Sequence, residues 1–265
     1  MKSRQPAFAT NASSSSAKRR AAEVMRSYKS AGEADCVVAY SGGKDSAAVL
    51  MFATTLFKLR PVALLVDNGF IPDEVKDAAR GFCDRIEVAL KIATFDLAPF
   101  AADSLHSTRP SLPCQRCIRT VFREAAKLCQ ELDTKLIITG HRFPPLSFKV
   151  DEFTGATEPS GCVSVAPLLA IKLPEKEQLD MVRAAGWRDL NIVGNTSNCQ
   201  LIGYAEERFF GAYNYNPHIY EVSKEIRAGF YSRAHGVEKV TRPVLSQAHQ
   251  AAVSDRLRLA QREPH

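Results

Sequence analysis

The chain has 265 residues, 45% of them apolar and 24% charged, an ordinary globular composition that excludes disordered, collagenous and fibrous proteins. No apolar run approaches the roughly 20 residues of a membrane span. Seven cysteines are too scattered for a small disulfide scaffold, and no secretory signal opens the chain, so reduced thiols and a cytoplasmic location are expected. The formal net charge of +6 resides entirely in residues 1–30, where seven bases face one acid. That segment reads as a solvated, disordered tail, with a nucleic-acid contact or an organelle transit peptide as alternatives.

After the tail, strand and helix alternate. Val37–Tyr40 is a short apolar run ending in a Ser-Gly-Gly turn, and predicts a buried strand. Ser46–Leu59 is apolar nearly all round and predicts a buried helix stopped by Pro61. Val62–Val66 follows as a second strand. Pro72–Cys83 reads as a helix, because Pro72 suits a first turn and Asp73 and Glu74 suit the helix dipole. Ile86–Leu90 is a third strand, Ile118–Leu132 a helix, and Lys135–Thr139 a fourth strand ending at Gly140. This order predicts an α/β fold, an open parallel sheet with helices on both faces. Residues 141–166 are rich in Pro, Gly, Ser and Thr and read as a mobile loop. Pro174–Ala185 predicts a helix, and 200–263 a mostly helical carboxyl-terminal part. The organisation expected is a tail over 1–30, a core over 31–165 and a third unit over 166–265.

Chemistry concentrates in Tyr40-Ser41-Gly42-Gly43-Lys44-Asp45-Ser46, between the first strand and its helix. The glycines let backbone N–H groups approach an anion, and the helix N-terminus adds positive potential. Ser41 and Ser46 add hydroxyl donors, Lys44 adds a charge, and Asp45 suits a magnesium ion. The spacing G-x-x-x-x-G-K-[ST] of ordinary nucleotide triphosphatases is absent.

At these residues the chain resembles the PP-loop ATP pyrophosphatase superfamily, also called adenine nucleotide alpha-hydrolases, whose signature Ser-Gly-Gly-x-Asp-Ser matches Ser41–Ser46. Two further pieces match. Val66-Asp67-Asn68-Gly69 ends the second strand, where the family contacts adenosine, and Thr139-Gly140-His141 ends the fourth, where it closes the nucleotide site. The resemblance spans roughly residues 33–240. It implies cleavage of ATP between the alpha and beta phosphates, with pyrophosphate held by the loop and AMP passed to a substrate oxygen.

Cys114-Gln-Arg-Cys117 is a C-x-x-C, and Cys199 follows 82 residues beyond Cys117. Alone, this spacing suits iron–sulfur ligation, zinc or redox chemistry. In this context it resembles the tRNA 2-thiocytidine and 2-thiouridine synthetase branch. That likeness implies a 4Fe–4S cluster on Cys114, Cys117 and Cys199, with one iron open to an exogenous sulfide. Zinc, with His141 or His218 as fourth ligand, is the alternative metal. The implied function is an ATP-dependent sulfurtransferase that adenylates a carbonyl oxygen of a nucleobase, in tRNA or a small molecule, and replaces it with sulfur from a sulfide or persulfide donor. A homodimer is compatible with this reading. Cys36, Cys83 and Cys129 read as buried inert thiols, while Cys162 lies where the loop can bring it to the site.

Two departures stand out. No acid follows Gly140-His141 until Asp151, where thiolation enzymes usually carry aspartates, and their separate zinc-finger module is missing. The stretches Tyr213–Pro217, Ser223–Gly229 and Tyr231–Gly236 resemble the tail of the N-acetyl sugar amidotransferases. That likeness implies a second reading, an amidotransferase using ammonia from a partner, with Arg227 and Arg233 as anion-binding candidates.

Overall fold

The computed structural model describes residues 19, 22–141, 154–157, 161–169, 171, 173–190, 192–193 and 198–262. Residues 22–26 form a short helix, α1. β1 (Cys36–Ala39), α2 (Lys44–Thr55), β2 (Pro61–Asp67), α3 (Asp73–Arg85) and β3 (Ala89–Thr94) follow. Next come α4 (Ala98–His106), α5 (Cys114–Glu131), β4 (Leu136–Thr139), β5 (Thr154–Thr157) and β6 (Val163–Val165). The remainder is helical: α6 (Glu175–Ala184), α7 (Gln200–Tyr213), α8 (Ile219–Arg227), α9 (Arg233–Lys239) and α10 (Gln247–Arg262).

The strands form one sheet in the order β3-β2-β1-β4-β6-β5. Every pairing is parallel except β5 with β6. The chain moves outward from β1 to β2 on one side and to β4 on the other, so the order reverses between β1 and β4. A crevice opens outside the carboxyl ends of strands at such a point, where ligands bind in open α/β sheets.

Alternation along β1 builds the two faces. Cys36, Val38 and Tyr40 pack with α2, α3 and α6, while Val37 packs with Val62, Leu64, Ile137 and α5. A third cluster joins Phe70, α4, Cys199, α7 and α10 beyond the strand ends. The carboxyl-terminal helices are therefore packed beside the crevice.

Several expectations need correction. β3 begins at Ala89, not Ile86: Ile86 caps α3 and Glu87 takes a left-handed turn at φ 57°. The apolar run there marks the helix end packing on the core, and the true strand is an edge strand whose exposure alternates. α2 already ends at Thr55, and Lys58 at φ 56° makes the turn into Pro61. The loop expected over 141–166 contains β5 and β6, because Cys162–Val165 is apolar enough to extend the sheet beside β4. Part of the expected tail is packed: Met25 is fully buried, and Arg26 Nε donates to the Phe57 carbonyl at 3.2 Å. Residues 1–18, including the Ser13–Ser16 run, lie outside the described residues.

One ion pair, between the buried Asp35 carboxylate and the exposed Arg60, pins the entry to the sheet. Asp35 accepts hydrogen bonds from the Arg60 amide at 2.8 Å, Arg60 Nη2 at 2.9 Å and the Ser30 amide at 3.0 Å. Burial pushes the Asp35 carboxyl upward, but the bonds from Arg60 and Ser30 prevail and hold it below the usual carboxylate range. A depressed native pKa contributes stability that is present above the unfolded value, near 3.9, and lost as pH falls through the native value. Asp35→Ala is expected to lower unfolding free energy by about 2 kcal/mol at pH 7. Denaturant titrations at pH 7 and pH 3 should show that difference narrowing in acid.

Candidate functional site

The Ser-Gly-Gly segment is held on the sheet by its neighbours. The Tyr40 amide donates to the Leu64 carbonyl at 2.8 Å, extending the β1–β2 ladder by one bond. Gly42 takes φ +80°, a left-handed conformation that favours glycine. Gly43 is the N-cap of α2 and receives no side-chain cap bond, so first-turn N–H groups of that helix remain for an anion. The Ser41 amide donates to Ser46 Oγ at 3.2 Å, the two hydroxyls lie 3.2 Å apart, and Ser46 Oγ donates to the Gly43 carbonyl at 3.0 Å. Both hydroxyls are thereby oriented at the mouth of the helix.

β4 closes the loop from the other side. A Cβ placed on Gly140 would lie 2.7 Å from the Ser46 amide nitrogen and 2.9 Å from the Asp45 carbonyl carbon. Only a glycine lets this strand end lie against the loop backbone. His141 follows and stacks on Phe122, with ring centroids 6.4 Å apart. Burial pushes its imidazole pKa down, with Glu221 and Asp45 pulling the other way.

Residues of the carboxyl-terminal helical region roof the loop. Lys44 Nζ lies 3.4 Å from both Asp45 Oδ1 and Glu175 Oε1. Gln178 Nε2 donates to Asp45 Oδ1 at 2.6 Å, and Trp187 Nε1 donates to the Gly42 carbonyl at 2.7 Å. From α9, His235 Nε2 lies 3.3 Å from Glu175 Oε2. Lys239, on the same helix, has its pKa pushed down by burial and then by the neighbouring Lys44. Two ammonium groups share this space, a repulsion that a polyanion on the loop would relieve.

The three cysteines meet at the end of β2. Asn68 is buried, and its Nδ2 lies 3.6 Å from Cys117 Sγ and 3.3 Å from Cys199 Sγ. Its Oδ1 accepts the Phe70 amide at 3.0 Å, which fixes the amide plane. Cys114 opens α5 one turn before Cys117. Burial raises its thiol pKa, and Cys199, Cys117, Glu206 and Glu221 add to the rise. Burial likewise pushes the Cys199 thiol up to about 11. Without a cation these sulfurs are protonated; a bound metal reverses that, because coordinating thiols lose their protons.

The three thiols are soft donors, a type that suits zinc and iron–sulfur clusters alike. A single zinc gathers its thiolates at about 2.3 Å from one point. Among the described residues no three His, Cys, Asp or Glu side chains are so placed. His218 is engaged between Glu206 and Glu221, and His141 stacks on Phe122. Cys117 and Cys199 share the Asn68 amide, and Cys114 stands one turn before Cys117 on α5.

No protein-family model matches the chain. It is 30% identical over 215 residues to a protein of Methanocaldococcus jannaschii named uncharacterized protein MJ1599, covering 81% of this chain and 75% of the relative. The chain belongs to the MJ1599 family. A second protein of that organism, named uncharacterized protein MJ1638, is 24% identical over 39% of each chain. The NMN synthetase of Francisella tularensis superposes with a TM-score of 0.51 at 13% identity, covering 93% of this chain and 97% of that one. The chain thus shares the α/β fold of that synthetase, in line with the fold that the Ser41–Ser46 signature implies. The U34-tRNA thiolase NcsA of Methanococcus maripaludis, with its 4Fe–4S cluster, gives a TM-score of 0.47 at 14% identity over 94% of this chain and 82% of that one. The NH3-dependent NAD synthetase of Campylobacter jejuni gives 0.44 at 15% identity, covering 95% of this chain and 98% of that one.

Within the MJ1599 family member described here, the expected residues distribute as follows. Ser41, Gly42, Gly43, Lys44, Asp45, Ser46, Gly140 and His141 lie together at the carboxyl ends of β1 and β4, whereas the Tyr40 ring is buried in the core against Phe82 and does not face the loop. Asp67 stands at the end of β2, but is engaged by Lys76 Nζ at 2.8 Å and the Gly69 amide at 2.9 Å. Cys36, Cys83 and Cys129 are buried core thiols with raised pKa values, as expected of inert cysteines. Cys162 is also buried and belongs to the Cys129 side of the sheet. The run from Arg142 to Asp151 lies outside the described residues. Arg227 is exposed and donates to Ser223 Oγ at 2.7 Å, and Arg233 is exposed. His235 and Lys239, from that same carboxyl-terminal region, are the residues facing the loop.

Proposed function

We propose that the protein is an ATP-dependent sulfurtransferase acting on a carbonyl oxygen. The observation that carries this reading is Asn68, whose amide touches Cys117 and Cys199 at the end of the strand beside the phosphate loop. These thiols therefore lie at the carboxyl end of β2, the strand paired with β1, whose own carboxyl end leads into Ser41–Ser46.

ATP lies with its β and γ phosphates on Ser41–Ser46, where α2 amides, both hydroxyls and Lys44 take the charge. Asp45, oriented by Gln178, is the carboxylate placed to hold magnesium. The acceptor oxygen bonds to the α-phosphorus as pyrophosphate leaves, its charge received by Lys44 and Lys239. A sulfur nucleophile then adds at the activated carbon, and AMP departs with the oxygen. A 4Fe–4S cluster on Cys114, Cys117 and Cys199, when bound, supplies the position for that sulfur. A base in tRNA or a nucleobase-like small molecule is the acceptor class.

The test combines anaerobic iron and sulfide analysis with detection of AMP and pyrophosphate in the presence of candidate acceptors. Thiolated product with iron bound supports the reading. An iron-free protein that forms amides with ammonia supports the amidotransferase reading instead, which the carboxyl-terminal stretch over the loop favours. Lys239→Ala should weaken ATP binding about tenfold by isothermal titration, with a smaller loss at high salt. For the basic segment, removal of residues 1–18 alone is the informative truncation, since Met25 belongs to the core. If these bases dock tRNA, the truncation should flatten the salt dependence of tRNA binding.

A further inference from the structure

The stretch that opens α7 touches both the phosphate loop and the thiols. Asn198 Nδ2 lies 3.4 Å from the Ser41 carbonyl, on the loop. Cys199 follows as the N-cap of α7, with its thiol 3.3 Å from Asn68 Nδ2. The Gln200 amide donates to the Phe70 carbonyl at 2.9 Å, just beyond the end of β2. Asn198 also lies close over the loop backbone: a Cβ placed on Gly42 would stand 3.1 Å from its Nδ2. Loop and thiols are thus joined by a single covalent step, from residue 198 to residue 199.

Peptide geometry says what an anion on the loop does to that join. No peptide bond among the described residues is cis, so the Ser41 carbonyl and the Gly42 N–H point to opposite sides of one planar unit. Asn198 holds the carbonyl side, and the N–H side faces away from it. An anion accepting the Gly42 N–H polarises this peptide and makes its carbonyl a stronger acceptor, since hydrogen bonds in a chain reinforce one another. At 3.4 Å the Asn198 bond is longer than the roughly 2.7–3.2 Å of a full N–H···O bond, so it has room to tighten. The next peptide has no such room, because Trp187 Nε1 already lies 2.7 Å from the Gly42 carbonyl. Trp187 therefore fixes the loop with or without a ligand, and Asn198 responds to one.

We propose that Asn198 is a positioning residue that couples the two sites: a phosphate anion seated on the loop tightens its bond to Ser41 and so fixes Cys199 and the first turn of α7. This deepens the ATP-dependent reading above and rests on it for the anion at the loop. Coupling of this kind is reciprocal, so whatever holds Cys199 in place also strengthens phosphate binding. The thiol site is then most sharply set in molecules whose loop is loaded.

The probe is magnesium pyrophosphate, added to the full chain and followed by amide hydrogen exchange with mass spectrometry. Binding should slow exchange in the loop peptide over 41–47 and, about fivefold, in the peptide over 198–204. Asn198→Ala removes the side chain; Asn198→Leu keeps close to its volume but has no donor. In both variants the loop peptide should still be protected, while the effect over 198–204 disappears. Calorimetry should show pyrophosphate affinity lowered about fivefold in both, the same factor. A merely space-filling Asn198 would leave the effect intact in Asn198→Leu, and that result would overturn the proposal. So would protection over 41–47 in the wild type with no change over 198–204. A wild-type protein that binds no pyrophosphate and gains no protection over 41–47 would overturn the phosphate-loop reading itself, and this proposal with it.

Discussion

Gly140→Ala should abolish nucleotide binding in a protein that still folds. The added methyl would meet the Ser46 amide nitrogen at 2.7 Å and the Asp45 carbonyl carbon at 2.9 Å. Both are backbone atoms at the start of α2, and neither can rotate away as a flexible side chain would. Either β4 or the loop must shift by several tenths of an ångström. Overpacking of this kind costs about 1–3 kcal/mol, which a domain of this size survives. The phosphate cradle does not survive it, because its function depends on N–H groups and hydroxyls held in place. Calorimetry with ATP or pyrophosphate should read no binding, while the far-ultraviolet spectrum stays close to wild type. Gly81→Ala is the control: nothing lies within 4 Å of the Cβ it would add.

Cys199→Ser should strip the protein of reconstituted iron without disturbing the fold. Serine keeps a polar atom near Asn68, where the thiol now lies 3.3 Å from Nδ2, and it is slightly smaller. The buried site therefore neither overfills nor loses its polar neighbour. What it loses is a soft thiolate, the donor iron–sulfur clusters require. Anaerobic reconstitution should leave this variant colourless, and acceptor thiolation should fall below detection. Cys129→Ser, buried near the opposite end of α5 from Cys114 and Cys117, should cost some stability but retain iron. If Cys199→Ser holds as much iron as wild type, Cys199 is not a ligand.

The sheet and the turn at Ser41–Ser46 were legible because their signals are local. A run such as Val37–Tyr40 followed by Ser-Gly-Gly states its strand, turn and helix within ten residues. β3 was displaced because an edge strand has no continuous apolar run, whereas the end of α3 does. α4 went unread because Ala98–His106 packs its small residues on α7 and α10, partners far along the chain. The same distance hid the roof and the Asn198 tie. Asn198 reads as a turn residue before Cys199, and Trp187 as one aromatic past a helix end; only folding sets them on the carbonyls of Ser41 and Gly42. Asn68 was visible within Val66–Gly69, but nothing local tied it to thiols 49 and 131 residues away.

Trp187 is the single tryptophan of the chain, and its indole N–H is bonded to the carbonyl of Gly42, in the middle of the phosphate loop. Indole emission shifts with the polarity and hydrogen bonding around the ring. The molecule thus carries one native fluorophore wired to the backbone that an incoming phosphate must touch. Loop occupancy becomes an optical quantity, read without a label and free of background from other tryptophans. ATP, pyrophosphate and AMP can each be titrated against the same signal, so their affinities for the loop are compared on one scale.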